Sequence, residues 1–306
     1  GVTASSGPGL ALKTEALGLA IAAELPLVVV DTQRGGPSTG LPTKTEQSDL
    51  YQAVWGRNGD APLPVLAARS PADCFDCAIE AVRLAVTYMT PVILLSDGYI
   101  SNAAEPWQVP DVTDLEPFPV RFRTDPEDYA PYARDPATLA RDWVRPGTKG
   151  LAHRIGGLER DRTGAISYDP ANHQQMTEQR AARIDGIADA LPPLAVEGAT
   201  AGELAVVGWG STYGAISRAV AALRAEGRAV GHVHLRHLWP LPRDLDAVLA
   251  GYERILVPEL NNGQLATLLR SHLLRPLTPL DKIAGQPFQI AEIEQAIRAQ
   301  LAGVAA

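Results

Sequence analysis

Positive charge is scarce in this chain: 27 Lys and Arg stand against 35 Asp and Glu, a formal net charge of −8 with a pI of about 5.3. That balance excludes an electrostatic footprint for nucleic acid or for an anionic membrane surface. Long hydrophobic runs are missing too. No apolar stretch is long enough to span a bilayer, and no basic segment precedes an apolar core at the start. Neither a transmembrane nor a secretory segment is expected, and the location expected is cytoplasmic. Cysteine amounts to two residues, Cys74 and Cys77, in one lone CxxC. A redox pair or a metal site needs a second CxxC or a thioredoxin-like context, and the sequence has neither. Residues 73–82 read as the first turns of a helix, which puts both sulfurs on one face as structural thiols.

What is present is an ordinary globular composition, 306 residues with 46% hydrophobic and 20% charged, enough chain for two domains. Leu25-Pro26-Leu27-Val28-Val29-Val30 is short and β-branched, as a buried parallel strand should be. The segment after it, Gln33-Arg34-Gly35-Gly36-Pro37-Ser38-Thr39-Gly40-Leu41-Pro42-Thr43, then falls at the strand's carboxyl end, where open α/β sheets bind ligands. One arginine among glycines and hydroxyls offers a fixed cation beside backbone that a small anion can approach. Composition alone fits an ordinary solvated strand–helix loop equally well.

Residues 1–9 read as the tail of a strand and its loop, so the chain begins in mid-fold and a strand and helix are expected ahead of it, removed or separately encoded. Apolar spacing predicts a helix over 10–24, a helix starting in 45–51, a short strand over 64–68, a helix over 73–88 capped by Ser70 or Asp73, and a buried strand over 91–95. This alternation predicts a parallel sheet covered on both faces. Residues 105–193 are rich in proline and charge. They read as an elaborated excursion in which Trp107, Phe118, Phe122, Tyr129, Tyr132 and Trp143 can bury, ending in a helix over 174–190 and the linker Pro192-Pro193. Strands over 204–208, 230–235 and 254–258 then alternate with helices over 211–226, 245–251 and 263–274. The expected domains are 1–195, with the excursion at about 105–190, and 200–306.

Several strings stand in the order and approximate spacing of one family: Thr3-Ala4-Ser5-Ser6-Gly7-Pro8-Gly9, the Arg34 to Thr43 segment, Thr45-Glu46-Gln47-Ser48-Asp49-Leu50, Tyr88-Met89-Thr90-Pro91-Val92 and Ser96-Asp97-Gly98. Gly156-Gly157-Leu158-Glu159, Thr163-Gly164 and Asn172-His173 continue the series. Together they resemble the α-subunit of 2-oxoacid:ferredoxin oxidoreductases, most closely the 2-oxoglutarate type, over nearly the whole chain. The resemblance implies an α/β fold: a thiamine-diphosphate pyrimidine-binding type parallel-sheet domain, N-terminally incomplete, followed by a transketolase C-terminal-like α/β domain. It implies oxidative decarboxylation of a 2-oxoacid to the acyl-CoA, with electrons passed to ferredoxin, in a heterodimer with a β-subunit. It also implies roles: Arg34, Thr43 and Thr3 toward substrate, and Ser5, Ser6 and Gly7 toward the cofactor. Glu259, Asn261, Asn262 and Gln264 are implied as a coenzyme A or subunit contact, although a capped strand–helix turn accounts for them as well.

Three further absences bound the chemistry. A GDG motif with a downstream Asn, which holds Mg²⁺ and the diphosphate in such enzymes, has only Ser96-Asp97-Gly98 as its nearest string, so Asp97 is expected to close a turn. Mg²⁺ and a [4Fe-4S] cluster are therefore expected on the partner, with thiamine diphosphate shared between the two. No acidic residue occurs in 1–9, so the activating glutamate is expected upstream of residue 1, and Glu15, Glu24 and Glu46 are not assigned its role. Gly208-Trp209-Gly210-Ser211-Thr212-Tyr213-Gly214 lacks both the spacing and the downstream acid of a dinucleotide loop. His153, His173, His232, His234, His237 and His272 are scattered and read as surface or interface residues. The rival readings are a non-catalytic assembly subunit of the same fold and a nucleotide-binding α/β protein.

Overall fold

The computed structural model describes residues 1–118 and 120–303; Pro119 of the excursion and residues 304–306 of the expected second domain lie outside the described residues. The first unit runs β1 (Val2–Ser5), α1 (Gly7–Ala11), α2 (Thr14–Ala22), β2 (Leu27–Gln33), α3 (Leu50–Trp55), β3 (Val65–Ala67), α4 (Asp73–Tyr88), β4 (Pro91–Asp97) and α5 (Gly98–Asn102). The excursion holds α6 (Pro170–Asp185), and after it come β5 (Val196–Gly198), β6 (Gly202–Trp209), α7 (Tyr213–Ala225), β7 (Val230–Leu235), β8 (His237–Trp239), α8 (Leu245–Leu249), β9 (Tyr252–Glu259), α9 (Gln264–Leu273), β10 (Thr278–Asp281) and α10 (Ile290–Leu301). No helix among the described residues is long and apolar enough to cross a membrane.

The strands form two sheets, ordered β1-β2-β4-β3-β8 and β10-β9-β6-β7-β5. Both are parallel except at one edge, where β8 runs against β3 and β5 against β7. β4 is buried at every residue, as its run Pro-Val-Ile-Leu-Leu predicts for a strand covered on both faces. α4 ends where Met89 turns left-handed (φ 49°). One apolar core joins the two sheets: Val29, Val65 and Ile93 of the first and Val207, Val233 and Val257 of the second belong to it, with Leu50, Leu265 and Leu268 from α3 and α9. The other face of the first sheet packs on Cys77, Ala81, Leu84 and Ala85 of α4, and on Ile184 and Ile187 of the excursion.

The helix expected over 10–24 is two helices, because Lys13 leaves the helical region (φ −122°, ψ 15°) between α1 and α2. The helix expected to start in 45–51 begins only at Leu50. Residues 45–49 are held out of the helix by tertiary bonds: Gln47 N donates to Leu260 O at 2.9 Å, and Asp49 N donates to Gln33 Oε1 at 3.1 Å. β2 runs past the expected end at Val30 to Gln33, which carries Asp31 inside the sheet. In the excursion, Tyr132 is buried and Trp143 Nε1 donates to Val86 O at 3.0 Å, but Trp107 stays half exposed. Its anchor is ionic as well as apolar. Glu24, 1% exposed, pairs with Arg134 and with Arg183 Nη1, the latter at 2.8 Å.

Candidate functional site

At the carboxyl ends of β1 and β2 the backbone leaves a cleft of about 610 Å³, lined among others by Gly7, Arg34, Ser38, Glu46, Ser48 and Asp49. β1 passes into α1 at Ser6, and the next residue has Asp49 against it. A Cβ on Gly7 would stand 2.4 Å from Asp49 Oδ1, so only glycine lets the two segments close. Beyond β2 the loop closes on itself, Gly35 N donating to Lys44 O (3.0 Å) and Leu41 N to Gly35 O (2.8 Å). Arg34 is thereby held at the cleft, and its buried Nε has no hydrogen-bond partner. A buried guanidinium donor left unpaired in this way can take an anion as its partner.

The other charged groups lining the cleft are acids, Glu46 and Asp49. Glu46 is 6% exposed. Burial, and then repulsion from Glu46, push the Asp49 carboxyl up to about 6, with Arg34 pulling it the other way. Beneath them Asp31 is 0% exposed with neither carboxylate oxygen hydrogen-bonded. Burial, and then Asp49, push it up to about 8. Sequence reasoning quoted Asp49 inside a motif without giving it a task, and it ended β2 before Asp31.

The other expected site residues divide. Ser6 O accepts Leu10 N at the start of α1, and Ser5 Oγ donates to Ser6 O at 3.5 Å; of Ser5, Ser6 and Gly7, only Gly7 lines the cleft. Thr3 is exposed on edge strand β1. Thr43 (φ 62°) lines a different cleft, with Lys44, Tyr99 and Asn102. Asp97 caps α5, accepting Tyr99 N (2.9 Å) and Ile100 N (3.1 Å), which spends its carboxylate on a turn.

Three of the four residues implied for coenzyme A or a subunit are taken up inside the chain. Glu259, fully buried, accepts Leu265 N (2.7 Å), Ala266 N (2.8 Å) and Asn261 Nδ2 (3.0 Å). Asn261 also donates to Gln47 O at 2.7 Å, and Gln264 donates to Ser48 O at 2.8 Å while accepting Tyr51 N at 2.9 Å. Asn262 alone of the four is exposed. This junction fixes residues 46–51, hence Glu46 and Asp49, against the second sheet. The glycine-rich turn after β6 belongs to it: Gln47 Nε2 donates to Trp209 O at 2.8 Å and stands 2.6 Å from where a Cβ of Gly210 (φ 56°) would be. A side chain of the first unit thus occupies the turn where a dinucleotide loop would need an open anion site.

The histidine reading needs correction at two positions. His232 is buried beside His234 (3.3 Å between ring nitrogens), and burial pushes it down to about 4. His237 is buried between the units, paired with Glu80 of α4. Both lie on strands whose inward face the sequence pattern did not resolve. Cys77 is buried with Sγ 3.4 Å from Asp73 Oδ2, and burial pushes its thiol well up, so it is an inert core thiol.

A parallel-sheet unit with a carboxyl-end cleft is joined to a second α/β unit through a buried polar junction, a two-sheet α/β architecture. The likeness to a split-gene transketolase, described as an inactive beta4 tetramer, agrees at the level of fold: 12% identity, a TM-score of 0.51, and coverage of 98% of this chain and 75% of that one. The particular family follows from closer matches. Residues 1–167 match the family described as "Pyruvate flavodoxin/ferredoxin oxidoreductase, thiamine diP-bdg", and residues 202–293 match "Pyruvate:ferredoxin oxidoreductase core domain II". The chain belongs to this family, among the α-subunits of 2-oxoacid:ferredoxin oxidoreductases. It is 55% identical to the 2-oxoglutarate oxidoreductase subunit KorA of Mycobacterium tuberculosis over 99% of its own length and 46% of the relative's. It also superposes with a TM-score of 0.91, at 36% identity, on the 2-oxoglutarate:ferredoxin oxidoreductase of Magnetococcus marinus with 2-oxoglutarate, coenzyme A and succinyl-CoA bound, covering 98% of this chain and 53% of that one. The chain thus spans about half the length of these relatives.

Proposed function

We propose that this chain is the pyrimidine-side portion of the α-subunit of a thiamine-diphosphate-dependent 2-oxoacid:ferredoxin oxidoreductase, with 2-oxoglutarate as substrate. The observation that carries this reading is Arg34, just past the end of β2, which lines a cleft shared with Gly7 and has a buried Nε with no hydrogen-bond partner. The relatives' names support the choice of 2-oxoacid. In the reaction the bond between the carboxylate carbon and the carbonyl carbon breaks to release carbon dioxide. Two electrons leave to ferredoxin, and the acyl carbon forms a thioester with the sulfur of coenzyme A. Arg34 fixes the substrate's carboxylate with its planar donor fork. Gly7, in the cleft lining, and Ser5 and Ser6 just before it are assigned to the cofactor, which would supply the carbon nucleophile when bound. Thr3 and Thr43 stand outside the Arg34 cleft and are assigned to the approach of substrate or partner; Asn262 is the exposed residue of its segment that coenzyme A or the partner can reach.

The domain boundary is placed at 195–200, and the location is cytoplasmic. Mg²⁺, the diphosphate and a [4Fe-4S] cluster are assigned to a β-subunit. Asp97, the nearest equivalent of a metal-binding aspartate, is occupied as a cap. Calorimetric titration tests the assignment. Mg²⁺–thiamine diphosphate should bind the chain alone weakly or not at all, and should bind tightly once a β-subunit carrying GDG is present. Tight binding by the chain alone would refute it. Saturable binding of NAD, NADP or ATP would instead support the nucleotide-binding reading, against the filled turn at Gly210.

A further inference from the structure

Asp31 is a buried acid that the proposed reaction does not use. It lies within β2, an interior strand of the first sheet, in register with Ser5 on one side and Leu95 on the other. It is 0% exposed, and both carboxylate oxygens lack a hydrogen-bond partner. Gln33, two residues along β2 and so on the same face, holds Asp49 by accepting its backbone N–H at 3.1 Å. Asp49 therefore sits next to Asp31 along that face, with its own Oδ2 buried and unpartnered. The charged groups facing this pair are Glu46, from the same segment as Asp49, and Arg34, from the end of β2. Burial, and then the Asp49 carboxyl beside it, both favour Asp31 retaining a proton. An apolar or amide side chain would fill the position of Asp31 without that penalty.

We propose that Asp31 and Asp49 are positioning residues for the Arg34 anion site: buried Asp31 keeps a proton beside half-buried Asp49, which limits the acid charge around the guanidinium and leaves Arg34 free for an incoming carboxylate. This rests on the reading of Arg34 as the carboxylate-binding residue. The directions given above for the two carboxyls agree, Asp31 being the member that keeps the proton near neutrality. Raising the pH removes that proton, adds a second negative charge beside Asp49, and competes with substrate for Arg34.

The test is calorimetric binding of 2-oxoglutarate to the complex reconstituted with its β-subunit, from about pH 7 to about pH 9, for the wild type, Asp31→Asn and Arg34→Ala. Affinity of the wild type should fall about ten-fold over that range, the effect of one added like charge at close quarters. Asp31→Asn, isosteric and never charged, should match the wild type near pH 7 and stay flat. A wild-type slope retained in Asp31→Asn overturns the proposal while leaving Arg34 in place. Binding that survives Arg34→Ala unchanged overturns the reading beneath it. An infrared carbonyl band of a protonated carboxylic acid in the wild type, present near pH 7 and lost by about pH 9, gives a readout that needs no variant to fold, and its absence would likewise overturn the pair.

Discussion

Replacing Arg34 with alanine lowers kcat/KM for the 2-oxoacid by roughly ten- to two-hundred-fold in the reconstituted complex. The figure follows from a charge-assisted pair in a partly dry site, worth about 1.5 to 3 kcal/mol, converted through the rate ratio. Arg34→Lys keeps the charge and loses the fork, so it falls between the wild type and alanine. The structure sharpens the expectation in two ways. The Nε of Arg34 has no internal partner, so removing the side chain leaves no other donor or acceptor stranded. The junction made by Gln47, Glu259 and Asn261 does not include Arg34, so assembly and thermal stability should hardly move. Steady-state kinetics beside a size-exclusion profile decides. Unchanged kinetics removes Arg34 from the site, and failure to assemble moves it to the interface.

Glu24→Ala should destabilise the fold by about 3 to 5 kcal/mol, the usual cost of leaving a buried ion without its partner. The Arg183 side chain is 1% exposed and has Glu24 as its counter-ion; Arg134 shares the same carboxylate oxygen. The pair ties α6 and the excursion to the end of α2, so the loss should appear first as local opening of residues 120–185 and then as a lower melting temperature. Glu24→Gln, which keeps a hydrogen-bond acceptor of the same shape, should recover part of it. Limited proteolysis reads the opening and chemical denaturation reads the total. An excursion equally resistant in wild type and alanine variant would show that apolar packing of Ile184 and Ile187 alone carries it.

Elements defined by their own residues were legible in the sequence. α4 and β7 fall where periodicity places them, because sixteen residues of amphipathic helix and a six-residue buried strand carry their signal locally. Elements defined by a distant partner were not. β8 is three residues long and exists because it pairs with β3, more than 160 positions earlier. Residues 45–49 look helical by composition and are held out of the helix by bonds to Leu260 and Asn261. The site divides on the same line: Arg34 and Gly7 stand in recognisable strings, whereas Asp31 was hidden because a charge after an apolar run reads as the end of a strand, and Thr43 was placed with Arg34 although the closed loop points it to another cleft.

The central claim is that this chain supplies the substrate-carboxylate side of a 2-oxoacid oxidoreductase whose cofactor is completed by a partner. The most direct measurement is 2-oxoglutarate-dependent reduction of a viologen dye, with mass-spectrometric identification of the thioester, by the chain alone and after co-expression with a β-subunit bearing GDG and clustered cysteines. The account predicts no turnover by the chain alone, and dye reduction with stoichiometric succinyl-CoA when both subunits and coenzyme A are present. Robust turnover by the chain alone, or a folded complex that binds cofactor and yet turns over no 2-oxoacid, would contradict it.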